Sequence, residues 1–169
     1  MSAVETMERT AVISDCGTWR YRLGRRWADG PTLCWVMLNP STADALEDDP
    51  TIRRCIGFAR RDGYGAIDVI NMCAYRATKP EALLGLDYQT RTGPHNRVHW
   101  TQATSAADRI VAAWGAWPDA HPSIERTPFY ADSDKVVCLG TTKSGAPKHP
   151  LYVKGDTPFV PYPEEPHDR

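Results

Sequence analysis

Two carboxamides, a carboxylate and an imidazole stand where apolar runs of this chain give way to turn formers. Asn39, with Ser41, Thr42 and Asp44, follows the run at residues 33–38, Asn71 lies inside the run at 66–74, and His149 sits in the loop after residues 135–139. A carboxamide both donates and accepts hydrogen bonds, an imidazole does either according to its tautomer, and a carboxylate can take a proton. That set suits recognition of a planar heterocycle, whose edge also presents donors and acceptors. Each residue has a plainer use as well: Asn71 as a buried amide bonded to backbone, and His149 as a structural hydrogen-bonding group. There is no phosphate loop, no GxGxxG after a strand, no HExxH and no GxSxG, so the common nucleotide, zinc-protease and serine-hydrolase chemistries lack their residues.

The elements that position these residues follow from the same pattern. Leu33, Cys34, Trp35, Val36, Met37 and Leu38 form a continuous apolar run closed by Asn39-Pro40-Ser41-Thr42, which reads as a buried parallel strand with a polar mouth. Ligands of open α/β sheets sit at such mouths. Asp49 then suits a helix cap and Pro50 the first helical position. Ile52, Cys55, Ile56 and Ala59 follow at helical spacing, with Arg53, Arg54, Arg60 and Arg61 on the other side. Further strands are expected at 66–74, 109–114 and 135–139, a turn of helix at 81–84, and helices at 94–108 and within 120–134. The alternation predicts an α/β fold: a three-layer sandwich with a short, mainly parallel four-stranded sheet, in one domain with loose tails at 1–15 and 160–169. Residues 19–27, WRYRLGRRW, alternate as a half-exposed hairpin. Trp19, Tyr21 and Leu23 fall on one face and Arg20 and Arg22 on the other, a charged face that serves solvent or a nucleic acid.

Composition sets limits on function. With 169 residues, 41% hydrophobic and 24% charged, the chain has the make-up of one domain with a real core, and a net charge of -1 gives no global basic signal for nucleic acid. Locally, residues 135–155 carry Lys135, Lys143, Lys148 and Lys154 and no acidic residue, while Glu164, Glu165 and Asp168 gather in the tail. The cysteines at 16, 34, 55, 73 and 138 form no CxxC pair and read as reduced thiols of a cytoplasmic protein; neither a metal nor a cofactor is expected. No leader segment, membrane span or obligate protein partner is expected.

The segments LNPSTAD, DDPTIRRC, VINMCAYRAT, GPHN, VAAWG and CLGTTKSGAPKHPLYV resemble the domain-of-unknown-function family 1643 over residues 19 to 160. More distantly, the order of Asn39-Pro40, residues 69–74, residues 111–115 and His149-Pro150 is similar to that of the uracil-DNA glycosylase superfamily, and so implies a uracil-DNA-glycosylase-like fold. That resemblance implies hydrolysis of an N-glycosidic bond in DNA, as in defence or phage DNA processing. Asn39 would position the water, with Asp44 as the available carboxylate, and His149 would stabilise the departing base. Asn71 would read the base edge beside Pro40. Lys143, Lys148, Arg53 and Arg54 would grip phosphates, and Leu151 or Tyr152 would wedge the vacated stack.

The departures from that pattern are informative. Asn39 stands where the strongest enzymes carry Asp. Ser41 replaces the bulky Tyr that excludes 5-substituted pyrimidines, which implies a roomier pocket for a 5-modified base. Leu151 replaces the Ser of His-Pro-Ser; the copy at 121–123 precedes a stretch expected to be helical. Two other readings stay open: a catalytically silent nucleic-acid-binding module, and a hydrolase or transferase acting on free nucleosides or nucleotides.

Overall fold

Strand β3 (Thr32–Met37) is the hub of the sheet, and its last five residues are all buried, as a strand covered on both faces requires. A computed structural model describes residues 5–124 and 133–162. Around β3 lie β1 (Glu8–Ile13), β2 (Arg20–Arg26), β4 (Ala66–Asn71), β5 (Arg109–Ala112), β6 (Val136–Cys138) and β7 (Val160–Pro161). The order across the sheet is β1-β2-β4-β3-β5-β6-β7. The block β4-β3-β5-β6 is parallel, whereas β1 with β2, β2 with β4 and β6 with β7 pair antiparallel.

This corrects the expected architecture. The fold is α/β with, among the described residues, a seven-stranded mixed sheet and three α-helices, not a short, mainly parallel four-stranded sheet of uracil-DNA-glycosylase type. Apolar runs mark the four central strands because those are buried on both faces. The flanking strands escape that signal: β1 is mostly exposed and β7 is two residues long. Residues 8–13, expected in a loose tail, are the edge strand of a hairpin with β2. The acidic tail from Glu164 onward, and most of the helix expected within 120–134, lie outside the described residues; the flanks of that stretch are 3-10 turns at Trp117–Ala120 and Ser133–Lys135.

Helix α1 (Pro50–Arg61) follows its sequence signals. The Asp49 side chain accepts from the Ile52 N–H at 2.9 Å, Pro50 opens the helix, and Arg60 and Arg61 stand in the last turn. Its apolar stripe of Ile52, Cys55, Ile56 and Ala59 packs with Leu23, Leu33, Trp35, Met37 and Val69 on one sheet face. Helix α3 (Asn96–Ala106) covers the other face, where Ala103 meets Cys34, Val36, Ile70 and Ile110. The short α2 (Tyr88–Thr92), which arises in a stretch expected to be loop, is capped by Asp87. No helix among the described residues is long and apolar enough to cross a membrane.

The connections lead to opposite sides of β3. Through α1 the chain passes to β4 on one side, and through α3 it returns to β5 on the other. The carboxyl ends of β3 and β5 therefore flank a topological switch point, the crevice where open α/β sheets take their ligands.

One irregularity reaches the site. Val12 pairs with Arg22 but Ile13 pairs with Arg20, so Tyr21 is an extra residue in β2. Such a bulge reverses the alternation of side chains. Tyr21 stacks on His99 of α3 and Arg22 pairs with Asp68, whereas Arg20, like Leu23 and Arg25, turns to the α1 side. The expected shared face of Arg20 and Arg22 is thus undone by one residue.

Candidate functional site

A pocket of about 650 Å³ opens at this switch point, across the carboxyl ends of the parallel strands and the first turn of α1. Volumes of this size accept a nucleoside-sized ligand. Asn39, Ser41, Asn71, Lys148, His149, Leu151 and Tyr152, all singled out from sequence, line it. Pro40, Asp44, Arg53, Arg54 and Lys143 do not. Among the lining residues that received no such role beforehand are Arg20, Asp49, Trp114 and Trp117. Trp114 carries a legible signal, since it ends an apolar strand just before Gly115. Asp49 is legible only as a helix cap, and Arg20 is hidden by the bulge.

Asn71 is the last residue of β4 and is 2% exposed. Its backbone carbonyl accepts from Asn96 Nδ2 at 3.0 Å, so the GPHN segment fixes the strand end. Its carboxamide makes no hydrogen bond among the described residues, which rules out the backbone-satisfied amide as its explanation. The residue is buried but its carboxamide faces the pocket, where it is available to a ligand. Asn39 is oriented differently. Its Nδ2 donates to the Ala77 carbonyl at 2.9 Å and the Pro40 carbonyl at 3.3 Å, which leaves Oδ1 as the acceptor toward the pocket. Pro40 is buried and contributes this carbonyl in place of a ligand contact.

His149 is carried by a tight loop. Thr141 bridges to Pro147, the Lys148 N–H donates to Gly140 at 3.0 Å, and the Gly115 N–H donates to Pro147 at 2.9 Å. Gly115 takes a φ of +76°, which glycine adopts without strain, and a Cβ there would lie 3.7 Å from His149 Cβ. The end of β5 thereby abuts the imidazole. His149 Nδ1 accepts from the Leu151 N–H at 3.2 Å and caps the 3-10 turn Pro150–Tyr152. Burial pushes its pKa down to about 4, against an opposing pull from Asp49. The ring is therefore neutral near pH 7, with Nδ1 as acceptor and the proton on Nε2, a donor for an oxygen or nitrogen of a ligand.

The charges of the pocket are few. Asp49 is its one lining carboxylate among the described residues. Asp44, the carboxylate expected there, instead accepts from the Leu46 and Glu47 N–H groups at 2.8 and 2.9 Å, which hold its pKa below the ordinary value. Arg20 is 3% exposed and donates from Nη1 to the Ala43 carbonyl at 2.9 Å, while its Nε has no acceptor. Burial lowers its pKa to about 10, with Asp49 opposing. It stays charged at neutral pH.

Both arginines expected to grip phosphates bond carbonyls of the chain, Arg53 from an exposed position and Arg54 from a half-buried one. Arg53 donates to the Asp48 carbonyl at 2.7 Å, and Arg54 donates to the carbonyls of Pro150 and Val153. Lys143 is exposed at the tip of the loop and Lys148 at the pocket mouth. Leu151 and Tyr152, 40% and 84% exposed, stand at the same mouth. No group of three His, Cys, Asp or Glu side chains is placed to hold a metal among the described residues.

A family model described as "Protein of unknown function (DUF1643)" matches residues 20–151. No curated protein and no solved structure matches the chain.

Proposed function

The chain belongs to the DUF1643 family, and from that footing we propose that it is a hydrolase that cleaves the N-glycosidic bond of a nucleobase turned out of DNA into this pocket, with 5-modified pyrimidines as the candidate bases. The reading is carried by one observation: the unpartnered carboxamide of Asn71 and the neutral imidazole of His149 line one cavity at the strand ends. A base has the donors and acceptors that this pair lacks. The motif order shared with uracil-DNA glycosylases supports the same reading as a distant kinship of function.

The chemistry follows from charge development. As the bond between the sugar C1′ and the base nitrogen breaks, its electron pair goes to the base. Positive charge grows on the sugar. The His149 Nε2–H and the Asn71 amide N–H would stabilise the base anion, at roughly 3 kcal/mol for a well-placed donor. Asn39 Oδ1 would hold the attacking water, whose oxygen bonds to C1′. Asp49, not Asp44, is the carboxylate available for the water's proton. Lys148 would meet a flanking phosphate and Tyr152 the gap left in the stack. Ser41 leaves room beside Asn39 for a base substituent. A cytoplasmic location belongs to the same proposal, supported by the free cysteines.

Incubation with DNAs carrying natural and modified pyrimidines, followed by mass analysis of released bases, tests the proposal. Release from one of them, lost in Asn71→Ala and His149→Ala, is expected. An intact protein that releases no base from any of them points to the silent binding module.

A second reading, hydrolysis of free nucleotides, is favoured by the inward engagement of Arg54. Duplex affinity that falls steeply with salt, beyond that of a mononucleotide, counts against it.

A further inference from the structure

Two arginines of β2 are buried on the same side of the sheet, and the fold treats them differently. Arg25, 1% exposed, donates to Asp48 Oδ1 and to the carbonyls of Thr10, Gly24, Asp44 and Glu47. That is how a protein compensates a guanidinium removed from water. Arg20, 3% exposed, has one protein acceptor, the Ala43 carbonyl; its Nε has none, and among the described residues no carboxylate lies within ion-pair distance of it. Asp49, the carboxylate that lines the same pocket, caps α1 through Oδ1 and lies beyond ion-pair distance of Arg20.

The position of Arg20 is as specific as its pairing. Along the rim the strand order β2-β4-β3-β5-β6 sets out Arg20, Asn71, Asn39, Trp114 and then the Lys148 loop. Neighbouring strands are about 4.8 Å apart, so Arg20 lies one strand beyond Asn71, while the Lys148 loop lies at the far side of the pocket. Ser41, Thr42 and Thr78 line the pocket too and bring hydroxyl donors. A charged, almost fully buried fork with open donors beside hydroxyls suits the oxygens of an anion.

We propose that Arg20 receives an anionic oxygen group of the ligand, a carboxylate on the base or a phosphate on its sugar, at the end of the pocket beyond Asn71. The inference rests on the nucleobase reading of the pocket and adds to it that the ligand is charged there. The guanidinium left without an ion-pair partner by the protein is then paired by its ligand, and an uncharged nucleoside leaves it with the Ala43 carbonyl and the more distant Asp49 alone.

Calorimetric titration of the whole protein tests this with two matched pairs of probes. One pair is 5-carboxy-2′-deoxyuridine against thymidine; the other is 2′-deoxyuridine 5′-monophosphate against 2′-deoxyuridine. The charged member of at least one pair is expected to bind about tenfold tighter or better, as a charge-assisted hydrogen bond provides. Which pair responds tells whether the anion belongs to the base or to the sugar. Arg20→Gln should erase that preference while the uncharged probe still binds. Because Arg20→Gln could unfold a buried site, Thr42→Asp serves beside it. Thr42 is exposed, adjoins Ala43 and lines the pocket, so the new carboxylate offers Arg20 a partner and should erase the preference as well.

Equal binding of charged and uncharged members in both pairs overturns the proposal, and so does a preference that survives in folded Arg20→Gln. A charge preference without base release from any DNA keeps the anion site and removes the glycosylase reading. Base release without any charge preference does the reverse.

Discussion

Arg54 Nε donates to the carbonyl oxygen of Pro150 at 3.1 Å, tying the second turn of α1 to the turn that His149 caps. A second bond from the same guanidinium reaches Val153. An arginine that the sequence offers as a phosphate contact is therefore a brace for the imidazole.

Arg54→Ala should loosen that turn. Loss of two charge-assisted bonds at a partly buried site is expected to cost about 1.5–3 kcal/mol in urea unfolding. Base release, where present, should fall together with His149→Ala while duplex binding changes little. A large drop in duplex affinity with unchanged release would return Arg54 to the phosphate-contact role.

Asn71→Leu exchanges an unpartnered amide for an apolar side chain of similar size. Nothing in the protein loses a partner, so the melting temperature should hold or rise, while ligand binding is lost. A destabilised Asn71→Leu variant would show that the carboxamide works for the fold.

His149 makes stability depend on pH. The unfolded chain protonates this imidazole near its ordinary 6.5, and the folded pocket resists protonation down to about 4. The unfolded state therefore takes up the proton first, and stability falls as pH drops through that window and levels below it. In urea titrations at successive pH values, His149→Gln should remove this part of the acid decline. Parallel curves for the two proteins would contradict the neutral buried ring.

Asp48→Ala leaves Arg25, whose side chain is fully buried, without its carboxylate, and Arg9 with it. Breaking one partner of a buried pair costs about 3–5 kcal/mol, much of the stability of a domain. Circular dichroism should show a large fall in melting temperature, and a fall within the range of surface substitutions would contradict this account.

Cys16 is the exposed thiol, and its hydrogen bonds with the Ser14 and Thr18 hydroxyls draw its pKa down to about 7. Cys34, Cys55, Cys73 and Cys138 are buried, and burial raises the first three. Iodoacetamide on the native protein should label Cys16 alone by mass, and all five cysteines after denaturation.

What the sequence reveals of the fold follows burial. Val36 or Val69, enclosed on both faces, belongs to an unbroken apolar run that announces a strand. Thr10 and Val12, open on an edge, leave no such run, and so β1 goes uncounted. The Asp49-Pro50 pair announces α1 because capping is local chemistry. In the pocket, Asn39, Asn71 and His149 are legible because strand ends are where polar residues interrupt apolar runs. Arg20 and Asp49 are not, since the meaning of each depends on partners distant in the chain: Ala43 and the pocket for one, His149 for the other. Asp44 misleads for the same reason, as its carboxylate closes its own turn.

The extra residue in β2 carries a consequence for how this pocket can diverge among related chains. Pairing β2 straight against β1 with Tyr21 retained in the ladder would restore the alternation and turn the Arg20 side chain toward α3, with no change in the identity of any residue of the strand. Ligand charge preference is in that sense written in the register of two strands. A relative that keeps Asn39, Asn71 and His149 but lacks the bulge should take an uncharged ligand, although an alignment of the lining residues would look the same.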